Sequence, residues 1–202
     1  MERLVTSGSP LPPALAELLT VLPPFPGNEG DRRVDLAGVP AAEAALGVRL
    51  PGDYVEFVAL YGAGDIGDHF AIARPFGELT DSPYSPSIVD VTATYREAAE
   101  QEDELRYPGR PVTDLVQWGT DDSANSFLWL VTGPDSDAWP VVVNWRSGGF
   151  TVHEEGFAAF LLAACRGAVG ERPRRFGLEG VRQLLPWREV LQEYEPYPGE
   201  FA

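Results

Sequence analysis

The sequence predicts an α+β domain in which an antiparallel meander of about four to six strands carries helices at its N-terminal side and one after its last strand. Three observations carry this expectation. Apolar residues recur at helical spacing through the first half, whereas residues 115–153 hold short apolar runs cut by turn residues. With 44% hydrophobic and 11% aromatic residues, a 202-residue chain can bury one ordinary core without cross-links. The single cysteine, Cys165, closes no internal disulfide and lies in an apolar helical pattern, which fits a reducing compartment or indifference to redox.

Residues 1–13 read as a flexible lead-in rich in Pro and Ser. Leu11, Leu15, Leu18, Leu19 and Leu22 then give an amphipathic helix that Pro23 and Pro24 end. Residues 24–33 read as a loop from their Pro, Gly and Asn content. Pro40 is expected to open a short helix that Gly47 caps. Leu50-Pro51 opens the next, where Tyr54, Phe57, Val58 and Tyr61 form a core-facing stripe that Gly62 and Gly64 stop.

Phe70–Ala73 is a short strand candidate, followed by a loop set by Pro75, Pro83 and Pro86. Ser87 caps a helix carrying Ile88, Val91, Tyr95 and Ala98, which runs into the acidic stretch Glu100–Glu104. Strands are expected at Leu115–Trp118, Ser126–Val131, Pro140–Trp145 and Phe150–His153. Unbroken apolarity in the second and third of these predicts burial on both faces. A helix with Phe157, Phe160, Leu161 and Ala164 on one face follows. The domain is read as 14–170, with 171–202 as a C-terminal extension holding weak helices at Val181–Leu185 and Trp187–Tyr194.

The stretch from Glu43 to Gly62 resembles the N-terminal signature of the SUKH superfamily (Smi/Knr-like proteins). The signature residues are Glu43, Leu46-Gly47, Leu50-Pro51, Tyr54, Phe57 and the closing Tyr61-Gly62. Downstream, Trp118-Gly-Thr-Asp-Asp-Ser-Ala-Asn-Ser-Phe, Pro140-Val-Val-Val-Asn-Trp and Gly156-Phe-Ala-Ala-Phe-Leu resemble its later strands and final helix. The long acidic helical segment at 87–107 and the tail beyond 170 depart from the pattern. The resemblance implies an α+β fold whose bacterial members are mostly immunity proteins that neutralise polymorphic toxins by direct binding. Its fungal relatives act as regulatory scaffolds of cell-wall synthesis. The same motif also has a purely architectural reading, as a helix start, a packed face and a helix end.

No catalytic constellation stands out. Asp65, Asp68 and His69 lie together, but no fourth ligand follows at metal-site spacing, so no metal is expected. His153 stands beside Glu154-Glu155, and Cys165 has no adjacent base. No nucleophile elbow, phosphate loop or dinucleotide fingerprint occurs, and no cofactor is expected. Asp121-Asp122 would need a water-excluding pocket to act as acid and base.

Charge separates the remaining classes. Fifteen basic residues, all Arg, face 31 acidic ones, a formal −16. Such a field repels phosphate backbones and attracts cations, so a basic protein partner is expected and nucleic acid is not. No apolar run reaches the roughly 18 residues of a membrane span, and no apolar leader core is present, so the expected location is the cytoplasm. Candidate contacts are Asp65, Asp68, Asp121, Asp122, Asp135 and Asp137, with Trp139 as an aromatic anchor in an expected turn. An immunity-type module binding a basic toxin domain, such as a nuclease, is the leading expectation. A scaffold for endogenous proteins is the alternative, and a hydrolase using Asp121, Asp122 or the Asp65–His69 segment has the least support.

Overall fold

The computed structural model describes residues 10–77, 86–169, 176, 178 and 180–193. Residues 1–9 of the lead-in, Pro83, Tyr194 and Tyr197 lie outside the described residues. Helix α1 (Pro13–Val21) opens on Pro13, whose missing N–H would have no helical partner there, and buries Leu15 and Leu18. Helix α2 (Glu29–Leu46) is the first departure from expectation. It starts inside the expected loop and continues through Pro40, where the pattern predicted a start. The reason is a buried stripe, Asp31, Asp35, Val39 and Ala42, at helical spacing across the proline. Tertiary burial on that face outweighs the roughly 3 kcal/mol that an interior proline costs, and Pro40 itself faces solvent. Gly47, at φ 72°, ends the helix in the left-handed conformation.

Helix α3 (Gly52–Tyr61) buries Tyr54, Phe57, Val58 and Tyr61, the stripe that the sequence predicts. Helix α4 (Ile88–Gln101) is capped by Ser87, whose Oγ accepts from the Asp90 amide at 3.2 Å. Its buried face is Ile88, Thr92, Tyr95 and Ala99, rotated by about one position from the apolar reading. Thr92 turns inward because its hydroxyl accepts from the Gln117 amide at 3.0 Å.

Among the described residues, seven strands form one antiparallel sheet: β1 (Gly64–Ile66), β2 (Phe70–Ile72), β3 (Leu115–Asp121), β4 (Ser126–Leu130), β5 (Val141–Asn144), β6 (Phe150–His153) and β7 (Leu184–Pro186). Their order is β6-β5-β4-β3-β2-β1-β7. The α+β antiparallel architecture is as expected, but the sheet is wider than the sequence suggested. Strands β1 and β7 hold three residues each, too few to show a period of two. Thus the expected helix at Val181–Leu185 is partly strand, and Asp65 lies in a strand rather than a loop. Helix α5 (Phe157–Cys165) follows β6, and helix α6 (Trp187–Glu193) follows β7.

The sheet is covered on both faces, as its unbroken apolar runs predict. Val116, Trp118, Phe127, Trp129, Val141 and Val143 pack with α1, α3 and α5; Trp118 meets Phe157 edge to face at 4.9 Å. Leu115, Leu128, Leu130 and Val142 pack under Tyr95 and Ala99 of α4. Strand β7 lies so close to β1 that a Cβ on Gly64 would stand 2.0 Å from the Leu185 carbonyl oxygen. Gly64→Ala is therefore expected to lift β7 away and lower stability by roughly 1–3 kcal/mol. Faster proteolysis at residues 180–186, measured beside the unfolding midpoint, is the check.

Candidate functional site

In a meander, alternate turns fall at the same end of the sheet. The β1–β2, β3–β4 and β5–β6 turns therefore share one end, while the β4–β5 connection lies at the other. The register Phe70↔Asp121 sets the first two turns side by side. There the His69 Nδ1 and an Asp122 carboxylate oxygen stand 2.7 Å apart, and the Asp122 amide donates to the His69 carbonyl at 3.0 Å.

The acidic candidates differ in their freedom. Asp68 is exposed in a left-handed turn at φ 61°. Asp121 is consumed locally: it accepts from the Ser123 and Asn125 amides at 3.1 and 2.8 Å and from Asn125 Nδ2 at 2.6 Å. Asp65 is half-buried in β1, and one carboxylate oxygen has no partner among the described residues. Burial, then the nearby Asp68 charge, pushes its pKa up. Asp135 and Asp137 stand at the opposite end, and Asp137 accepts from the Gly52 amide at 2.5 Å, capping α3. Six carboxylates thus divide between two ends. Trp139 is buried rather than displayed: it is 2% exposed, and its indole N–H donates to the Gly133 carbonyl at 2.8 Å. Trp118 and Trp145 also lie in the core.

Other polar residues are structural, among them Asp53, Asp35 and Arg74, which the sequence reading passed over. Asp53 accepts from the Ala158 amide at 2.8 Å and satisfies the start of α5. Glu43 accepts from the Leu50 amide at 3.0 Å, which gives the signature Glu a physical role. Asp35 and Arg74 form a fully buried pair at 2.8 Å. Only the helical stripe of α2 could have flagged Asp35, and nothing local flags Arg74.

Cys165 is buried, and burial pushes its thiol up to about 11, away from thiolate chemistry. Burial lowers the pKa of His153, which packs edge to face on Phe160 at 5.0 Å. Among the described residues, no group of three His, Cys, Asp or Glu side chains is placed to hold a metal. No helix among them is long and apolar enough to cross a membrane.

The acidic end also holds a cavity of about 420 Å³. Its wall includes Glu102 and Glu104 beyond α4, Ala124 of the β3–β4 turn, Ser126, Asn144, and Arg146 of the β5–β6 turn. Helix α4 ends here, and its terminal carbonyls at Ala99 and Glu100 accept from the Arg106 guanidinium at 2.7 Å each, so the negative potential at the cavity comes from Glu102 and Glu104. The arrangement suits reception of positive charge.

Searches against curated proteins and solved structures give no significant match. A family model described as SUKH_6, SMI1-KNR4 cell-wall, matches residues 39–161. That span contains the Glu43–Gly62 signature and runs from the middle of α2 into α5, more than half of the chain. With helices on both faces of an antiparallel meander and the signature residues at their structural posts, the chain belongs to the SUKH (SMI1-KNR4) family.

Proposed function

We propose that this protein is an immunity-type binding module that captures a basic toxin domain at the acidic end of its sheet. The observation that carries the reading is the gathering at that end of Asp68, Asp122, Glu102 and Glu104, in a chain of formal charge −16. A negative field of this kind speeds encounter with a cationic surface, and a few desolvated contacts then set the dissociation rate. The bound module would cover the toxin's working surface without transforming it.

The test is coexpression with basic toxin domains encoded in the same genome. Growth should be rescued, and the purified pair should associate at least tenfold more slowly when ionic strength rises from about 0.05 to 0.5 M. Rescue by none of them, or association indifferent to salt, overturns the proposal. The cell-wall wording of the family description favours a second reading, a scaffold for endogenous cell-wall proteins. Capture of such a protein without any toxin protection would select that reading.

A further inference from the structure

We infer that the cavity at the end of α4 receives one arginine side chain of the partner, its guanidinium meeting Glu102, Glu104 and the amide oxygen of Asn144. The inference rests on the binding reading above and assigns it a specific contact.

The decisive residue is Asn144, 4% exposed yet part of the cavity wall. Its amide orientation is fixed from behind. The Tyr95 hydroxyl donates to the Leu105 carbonyl at 2.8 Å, so the proton of that hydroxyl is committed. Tyr95 Oη can then only accept from Asn144, and the Asn144 Nδ2 lies 2.8 Å from it. With the donor end spent inward, the acceptor Oδ1 is the end of the amide left for the cavity that Asn144 lines. A donor that fills the cavity would meet this oxygen on an otherwise buried side chain.

Topology explains the opening. Ser126 and Asn144 are direct cross-strand partners on the sheet face that α4 covers. Further along that face, Leu128 and Val142 are sealed beneath Tyr95 and Ala99. At Ser126 and Asn144 the helix has ended, and the segment holding Glu102 and Glu104 forms the remaining wall.

The acceptors select the occupant. A planar guanidinium carries five donors in a fork and is weakly hydrated, which matches two carboxylates and an amide oxygen spread around one cavity. A bare divalent ion needs several oxygens within about 2.6 Å, far less space than 420 Å³. Arg146, also in the wall, opposes an incoming cation and leaves the two glutamates a net single charge in its favour.

The probe is the capped tripeptide acetyl-Gly-Arg-Gly-amide, titrated into the full chain at low salt and followed by ¹H–¹⁵N correlation spectra. The expected result is a saturable shift of the Asn144 side-chain amide and of Ser126 and Gly148. Glu102→Gln with Glu104→Gln should weaken it about tenfold, and Arg146→Gln should tighten it about threefold. Both sites are exposed, so these variants should keep the wild-type spectrum elsewhere. Equal titration by the lysine tripeptide overturns the guanidinium assignment. An octa-arginine peptide separates this inference from its parent. Shifts confined to residues 67–69 and 121–123 overturn the cavity and leave the cation-binding reading standing; no shift at any site overturns both.

Discussion

Ending the chain at Val169 abolishes cooperative folding, and Trp187→Ala alone lowers the unfolding free energy by about 3–5 kcal/mol. Residues beyond the family match build part of the core. Phe176, Leu178, Leu184 and Trp187 are all buried. The ring of Phe176 stacks on Trp145 at 5.6 Å and meets Phe127 edge to face at 5.2 Å. Trp187 donates its indole N–H to the Ile72 carbonyl at 2.9 Å, and β7 completes the hydrogen bonding of β1. Four such side chains at about 2 kcal/mol each approach the whole 5–15 kcal/mol that separates a folded domain from its unfolded chain. Urea unfolding followed by tryptophan fluorescence is the measurement. A truncated chain with the parent midpoint would show that the segment merely lies against a finished domain. The result bears on any test of function too: removing residues 170–202 would unfold the module, so loss of binding in such a deletion would not locate the binding surface.

Much of the architecture was legible because it rests on apolar periodicity. The stripe of α3, the Ser87 cap and the four long strands follow from spacing and turn residues. What stayed hidden depends on distant partners. Asp31 and Asp35 are carboxylates and do not count toward an apolar stripe, so a helix whose inner face contains both looks like a loop followed by a proline start. Trp139 sits between turn residues and Pro140, a context shared by exposed anchors and by buried ones; its hydrogen bond to Gly133 decides the matter. The acidic end was half legible. Asp68, Asp122 and Glu100–Glu104 were visible as charges, but their meeting follows from strand order, which places alternate turns together. Asn144 read only as part of an apolar strand, and its role needs Tyr95 and Leu105 to fix its amide.

Breaking the buried pair of α2 with either Arg74→Met or Asp35→Ala is expected to cost about 3–5 kcal/mol, because each leaves one charge without its counterion in the interior. The two residues are 0% and 1% exposed in their side chains. Asp35 also accepts from the Ala63 amide at 2.9 Å, tying α2 to the junction between α3 and β1. The double variant Asp35→Leu with Arg74→Met removes both desolvated charges and should cost far less than the sum of the single losses, leaving chiefly the unpaired Ala63 amide at about 1–3 kcal/mol. Burial raises the Asp35 pKa above 3.8 despite the opposing pull of the Ala63 amide and of Arg74, so desolvation outweighs the attraction. The sign follows: the folded state holds this proton more tightly than the unfolded chain, a contribution fully present below pH 3.8 and lost as pH rises through the raised value. Wild-type stability measured relative to Asp35→Asn should therefore decline as pH rises from that point and then level. Additive single losses would show that the two charges do not act as a pair, and a difference that grows with pH would show that the attraction wins over burial.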